Sequence, residues 1–146
     1  DVSLVALDSE PESLRVIDAE TSQKVRHMLR AASGVSGTGK RAMIDGYSVG
    51  GKTGTTHKVK AGGGYDEHRY MSAFAGLSPA ENPRLVTVVV IDEPSNGTYF
   101  GGLVAAPVFS EVTGSALRLL QVTPDQIDTN RSVAGIPKLN KKRGES

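Results

Sequence analysis

Residues 46–56 read GYSVGGKTGTT, and two incompatible structures satisfy those letters. From Gly46 the spacing G-x-x-x-x-G-K-T fits a phosphate-binding loop, in which the lysine opens a helix whose free N–H groups and positive dipole end face the anion. The same residues also make an extended strand carrying one ammonium and several hydroxyls. The residues after Lys52 decide between them. They are TGTTHKVKAGGG, with threonines, a valine and four glycines where the helix would have to begin. At about 1 kcal/mol per glycine and several tenths per β-branched residue relative to alanine, no stable helix starts there. The preceding KRAMID (40–45) also lacks the buried strand that feeds such a loop. A second partial match to a nucleotide site, TVVVIDE at 87–93, then reduces to a strand whose terminal Asp92 and Glu93 cap a turn.

As a strand the segment is coherent. Tyr47, Val49, Gly51, Thr53 and Thr55 face one side, and Ser48, Gly50, Lys52, Gly54 and Thr56 the other. Gly50, Gly51 and Gly54 lack side chains, so a ligand backbone can lie against the strand edge. One lysine among hydroxyls is equipment for holding a carboxylate and for hydrogen-bonding an extended peptide as an added strand.

Working outward, the lead-in to residue 17 is irregular, with a short strand expected over Leu14 to Ile17. Asp18 caps a helix with Glu20 in its first turn, and Val25, Met28, Leu29 and Ala32 form its apolar face at i, i+3, i+4 and i+7; Ser33-Gly34 ends it. GVSGTG (34–39) is loop. After the glycine-broken turn HKVKAGGGYDEH (57–68), RYMSAFAGLSP (69–79) alternates as a strand, and Pro79 and Pro83 bracket a turn. RLVTVVVI (84–91) is the clearest strand, and its continuous apolar character predicts burial on both faces. SNGTYFGG (95–102) is a turn-rich loop. Leu103 to Leu120 is a helix packed through Val108, Val112, Leu119 and Leu120, in which Pro107 is tolerable only in the first turn. Strands joined by turns this short are antiparallel neighbours, so the fold class is α+β: a small antiparallel sheet flanked by helices. Residues 1–124 make the folded part, and 125–146 a basic, flexible tail containing Lys138, Lys141, Lys142 and Arg143.

A net charge of +1 with basic residues spread along most of the chain gives no electrostatic footprint for nucleic acid. The absence of cysteine excludes a disulfide framework and cysteine-based metal sites. His27, His57 and His68 have no spacing that argues for a metal and fit ordinary surface positions. No cofactor is expected. No apolar run reaches the roughly 18 residues of a membrane span, so any anchor would lie upstream of Asp1.

The segments GTGKRA (37–42), GGKTGT (50–55), GYDEHRYMSAFAGLSPAENPR (64–84), VVVIDEP (88–94) and YFGGLVAAPVF (99–109) together resemble the C-terminal part of the transpeptidase domain of class B penicillin-binding proteins, of the septal, cell-division type. The resemblance spans about residues 15 to 122, and several motifs in order are far more specific than Lys-Thr-Gly alone. It implies a peptidoglycan D,D-transpeptidase in which a serine attacks a stem peptide ending in D-Ala-D-Ala, and which β-lactam antibiotics trap as an acyl-enzyme.

By the same resemblance, Lys52 and Thr55 are catalytic. Lys52 supplies positive potential and helps proton movement, and the N–H of Thr55 is half of an oxyanion hole. The hydroxyls of Thr53 and Thr55 bind the substrate carboxylate, and Gly54 keeps the edge open. Tyr70, Tyr99 and Phe100 form an aromatic wall beside the acyl side chain, with Gly101 letting the loop sit close. The implied location is the periplasmic face of the bacterial inner membrane, with an N-terminal anchor outside this chain and division-complex membrane proteins as partners.

Two departures stand out. His57 occupies a position where relatives carry Arg or Lys, and neither the nucleophile motif S-x-x-K nor S-x-N occurs anywhere in the chain. The chain then reads as the C-terminal piece of a catalytic domain, inert alone and paired with the remainder of that domain. The competing readings are a non-catalytic peptide-binding module and, more remotely, a nucleotide-binding protein.

Overall fold

The computed structural model describes residues 14–95 and 97–126. Two α-helices, α1 (Ala19–Ser33) and α2 (Gly101–Leu119), accompany three strands, β1 (Gly50–Val59), β2 (Tyr65–Ser78) and β3 (Leu85–Asp92), with a 3-10 turn at Lys40–Ala42. The strands form one antiparallel sheet in the order β1-β2-β3. The ambiguous stretch is therefore extended: Lys52 lies inside β1, and no helix follows it.

α1 begins where the sequence places it, because the Asp18 carboxylate accepts from Thr21 N–H at 2.7 Å and Glu20 lies in the first turn. Its inward face matches the expected one at Leu29 and Ala32, which are half-buried, and differs at the other two positions. Val25 and Met28 are exposed, and the helix turns Ser22, Arg26, Leu29 and Ser33 inward, with Ser33 Oγ donating to the Gly51 carbonyl at 3.1 Å. The helix docks through a polar anchor on a strand edge, so apolar periodicity misreads it. Leu14 to Ile17 form no strand; they are exposed and, among the described residues, pair with nothing that would supply ladder hydrogen bonds.

The core lies between the sheet and α2. Phe74 on β2 meets Phe109 on α2 with ring centroids 4.8 Å apart at 60°, an arrangement that contributes about 0.5–1.5 kcal/mol beyond area burial. Ala42, Ile44, Tyr47, Val49, Ala105, Ala106 and Leu117 complete the cluster. The packed side of α2 is thus Ala105, Ala106, Phe109, Thr113 and Leu117, whereas the expected Val108, Val112, Leu119 and Leu120 face outward. Small residues let the helix approach the sheet closely, and a hydrophobicity count undervalues them. α2 also starts two residues earlier than expected, which puts Pro107 past the first turn. The helix continues through it, with Ala105, Ala106 and Phe109 buried on either side, although a proline there forfeits one helix hydrogen bond.

β3 contradicts the expectation of two buried faces. Leu85, Thr87, Val89 and Ile91 turn toward α2, but Val86, Val88 and Val90 are 76%, 62% and 54% exposed. Together with Met71, Ala75 and Leu77 on β2 they leave one apolar face of the sheet uncovered among the described residues.

After α2 the chain returns to the start of β1. Tyr47 Oη donates to the Val122 carbonyl at 2.7 Å, Asp125 accepts from Ser48 through both its N–H, at 2.7 Å, and its hydroxyl, and Gln126 N–H reaches the Gly46 carbonyl at 3.1 Å. The first two residues of the expected tail are thereby tied to the body, and residues 127–146 lie outside the described ones. Ser48 in turn bonds to the β2–β3 turn, its hydroxyl accepting from Ala80 N–H at 2.7 Å and its carbonyl from Ser78 Oγ at 2.8 Å.

Candidate active site

β1 is an edge strand, and its outer edge has two parts. At Gly51 the carbonyl is taken by Ser33 on the side away from β2. Because alternate residues of an antiparallel strand direct N–H and C=O to opposite edges, Thr53 and Thr55 also point theirs outward, in unbroken register with Phe74 and Ser72. No helix among the described residues covers them there. An open edge with two outward N–H groups can accept an extended ligand as a further strand.

The side chains gather around this edge. Lys52 is exposed, and its Nζ bends over the edge to the Thr53 carbonyl (3.2 Å) and hydroxyl (3.3 Å). Strict alternation puts Lys52 and Thr53 on opposite faces, but the long lysine stem crosses the edge and brings ammonium and hydroxyl together. Thr53 Oγ1 also lies 3.3 Å from Thr38 Oγ1, a neighbour from the loop after α1 that the sequence did not single out.

Thr55 Oγ1 accepts from Gly101 N–H at 3.0 Å, so the threonine satisfies a free donor of the first turn of α2 and keeps its own hydroxyl proton for another acceptor. Gly101 matters here, though differently than expected, since it opens the helix and is buried against the sheet. A Cβ on it would lie 2.3 Å from the Ala73 carbonyl oxygen and 2.4 Å from that of Gly54, and one on Gly102 would lie 2.3 Å from the Thr38 carbonyl oxygen. Only glycine lets this helix start reach the β1–β2 pair. Gly54, by contrast, would put a Cβ in ordinary contact, 3.6 Å from Ala73 Cβ, so packing does not require glycine there.

The aromatic residues form a continuous ladder. Tyr70 and Tyr99 stack at 3.8 Å and 6°, Phe100 continues at 4.6 Å from Tyr99, and His57 adds a fourth ring 4.5 Å from Tyr70. Ser72 Oγ donates to the Tyr99 carbonyl and holds the loop that carries Tyr99 and Phe100. Burial, followed by the Tyr99 hydroxyl, pushes the Tyr70 phenol above its ordinary value, so it remains neutral near pH 7. Phe100 is half exposed and free to meet a ligand. His57 was expected at an ordinary surface position; its partnership with Tyr70 becomes legible only from the β1–β2 register, which sets the two residues opposite each other.

Beyond the ladder, charges are paired. Lys58 Nζ bridges Asp92 at 2.9 Å and Glu93 at 2.7 Å, tying β1 across the sheet to the end of β3, and the hydrogen bonds to Glu93 and then Asp92 raise the lysine pKa. Asp92 and Glu93 thus serve as ion-pair partners at a strand end. No group of three or more His, Cys, Asp or Glu residues among the described residues could hold a metal ion, and no described helix is long and apolar enough to cross a membrane.

An edge strand offering an ammonium, two hydroxyls and outward N–H groups, backed by a helix start and flanked by aromatic rings, carries the groups that can hydrogen-bond an extended chain and polarise a carbonyl. Residues 2–114 match the family model of the penicillin binding protein transpeptidase domain. The chain is 40% identical over 127 residues to the "Probable peptidoglycan D,D-transpeptidase PenA" of Neisseria flavescens, covering 87% of this chain and 32% of that protein. It is 38% identical over 128 residues to the peptidoglycan D,D-transpeptidase FtsI of Escherichia coli K12 (88% and 22%) and 43% identical over 110 residues to the stage V sporulation protein D of Bacillus subtilis (75% and 17%). The solved apo structure of the TP domain of Burkholderia pseudomallei penicillin-binding protein 3 superposes with a TM-score of 0.73 at 42% identity, covering 84% of this chain and 37% of that one. The chain belongs to the transpeptidase-domain family of class B penicillin-binding proteins. It spans about a third or less of the length of these curated relatives.

Proposed function

We propose that this chain supplies one wall of the acyl-transfer site of a peptidoglycan D,D-transpeptidase acting at the division septum, and that β-lactams acylate the complete enzyme. The observation that carries this reading is the open edge of β1, where the outward N–H of Thr55 and the Lys52–Thr53 pair stand side by side. In this reading the hydroxyls of Thr53 and Thr55 hold the terminal carboxylate of the donor peptide, and the Thr55 N–H polarises the scissile carbonyl. An oxyanion donor of this kind is worth about 3–4 kcal/mol in acyl transfer. The Lys52 ammonium adds positive potential and assists proton movement, Gly54 leaves the strand edge unobstructed, and Tyr70, Tyr99 and Phe100 pack beside the acyl portion.

The nucleophile comes from outside the chain, since no S-x-x-K or S-x-N occurs in its 146 residues. The uncovered face of Val86, Val88 and Val90 suits the remainder of the same domain, whose solved relative has most of its residues outside the matched region. The enzyme reading also implies an N-terminal membrane anchor outside this chain, a periplasmic site of action and contacts with other membrane proteins of the division apparatus.

Labelling with a fluorescent penicillin tests the reading. The complete protein is expected to be labelled covalently in stoichiometric amount and the isolated chain not at all. Labelling of the isolated chain would refute the missing nucleophile. A complete protein that binds stem peptide but is never acylated would establish the non-catalytic module instead.

A further inference from the structure

We propose that Glu93 is a positioning residue of this site: it fixes the corner of the sheet from which the aromatic ladder projects, and so sets how well a bulky acyl side chain is received. The role rests on the functional reading above, in which Tyr70, Tyr99 and Phe100 pack beside the acyl portion, and extends it to a residue outside that wall.

Tyr70 roots the ladder, and it sits where both strand pairings run out. The regular β1–β2 register extends to the His57–Tyr70 pair and shifts beyond it, while the β2–β3 register stops one residue short, at Met71–Asp92. By the alternation that turns Thr53 and Thr55 outward, His57 and Tyr70 exchange no backbone hydrogen bonds, so the Tyr70 carbonyl points toward β3. Glu93, the residue after the end of β3, supplies the missing donor: its N–H reaches the Tyr70 carbonyl at 3.0 Å.

The Glu93 carboxylate then gathers the neighbours of both members of the pair. Its Oε1 accepts from Nζ of Lys58, the residue after His57, at 2.7 Å, and lies 3.5 Å from Nη1 of Arg69, the residue before Tyr70. Asp92 shares Lys58 at 2.9 Å but makes no ion pair with Arg69 among the described residues. Further along the loop that Glu93 opens comes Tyr99, whose ring stacks on Tyr70 at 3.8 Å and whose carbonyl accepts from Ser72. The three segments that supply rings to the ladder, β1, β2 and the loop after β3, thus meet at one residue.

Neither backbone preference nor stability accounts for a glutamate at this corner. Its φ of 49° lies in the left-handed region, which glycine adopts freely and a side chain resists. Its ion pairs are largely exposed, and pairs of that kind add little to folding stability. What the carboxylate does determine is where Lys58 and Arg69 stand, and with them the angle at which Tyr70 presents the stack.

The test uses the complete enzyme and two penams: benzylpenicillin, whose acyl side chain ends in a phenyl ring, and 6-aminopenicillanic acid, which has no acyl side chain. Second-order acylation rates are read by competition with a fluorescent penicillin. Glu93→Gly removes the carboxylate and suits the left-handed backbone, so its unfolding midpoint should stay near that of the wild type. Its benzyl-to-amino rate ratio should fall about threefold to tenfold, the scale of one aromatic contact. Lys58→Met, which empties the same brace from β1, should lower the ratio in the same direction, and Lys58→Arg should hold it at the wild-type value. A ratio unchanged in both Glu93→Gly and Lys58→Met, or two rates that fall together with the midpoint, overturns the proposal while leaving the enzyme reading intact. Acylation of the wild type by neither compound would instead bring down the enzyme reading, and this proposal with it.

Discussion

The two halves of the ribbon from Gly46 to Thr56 are built on opposite plans. From Gly46 to Gly51 nearly every group is buried and spoken for: Tyr47 is bonded to Val122, Ser48 to Asp125, Ser78 and Ala80, and Gly51 to Ser33. A Cβ at Gly51 would lie 2.6 Å from the Phe74 ring, so even the missing side chain is part of the packing. From Lys52 to Thr56 the strand is largely exposed, its outer edge is open, and Lys52 and Thr53 bond mainly to each other. Burial and hydrogen bonding are concentrated in the half set back from the open edge. An edge meant to accept a foreign strand must leave its own donors unpaired, and only a firmly anchored neighbour keeps such donors in register.

Substitutions in the two halves should therefore separate activity from stability. The largest effect is expected for Lys52→Met in the complete enzyme, where loss of the ammonium should slow penicillin acylation about 10²- to 10⁴-fold with the unfolding midpoint nearly unchanged. A variant that acylates at the wild-type rate would remove Lys52 from the chemistry. Gly101→Ala, which forces a methyl group into two backbone carbonyls, should lower stability by about 3 kcal/mol in denaturant titration. An unchanged midpoint would mean that α2 does not need to start against the sheet. Asp125→Ala leaves the buried Ser48 N–H and hydroxyl without their acceptor and should lower stability by about 2 kcal/mol. If that variant instead lost acylation with no change in stability, the division of labour within β1 would be wrong.

The smallest effect concerns Asp66. The His68 N–H, and after it the Arg69 side chain, hold its carboxyl at about 2, below the ordinary carboxylate range. A group with a depressed folded-state pKa stabilises above its unfolded value, and that contribution fades as pH falls through the folded one. Stability should accordingly decline between about pH 4 and pH 2 in part through Asp66, and Asp66→Asn should flatten that part of the curve. Identical acid titration curves for the two proteins would count against the assigned bonds.

Much of this was legible in the sequence, and the parts that were not share a physical cause. The helix-breaking run after Lys52 sufficed to make β1 a strand, and Asp18 marked the start of α1 through its capping chemistry. Thr53, Thr55, Tyr70, Tyr99 and Phe100 were singled out through the resemblance, and the fold brings Thr55 to Gly101 and stacks Tyr70 on Tyr99. What escaped were contacts that depend on smallness or on distant polar partners. The packed side of α2 runs through alanines and a threonine, where hydropathy pointed to Val108 and Val112. The Ser48–Asp125 link joins residues 77 apart with no local signal at either end. β3 was read as buried on both faces because Val86, Val88 and Val90 are as apolar as their neighbours; within this chain nothing among the described residues covers them.

Amide hydrogen exchange along β1, in the complete enzyme before and after acylation by a penicillin, tests the central claim most directly. The N–H groups of Thr53 and Thr55 should exchange quickly in the free enzyme and become protected once the acyl group lies along the edge, while those of Gly50 and Lys52, which point to β2, should be protected in both states. Stoichiometric acylation that leaves exchange at Thr53 and Thr55 unchanged would mean that the ligand sits elsewhere, and the open edge of β1 would not be the wall of the site.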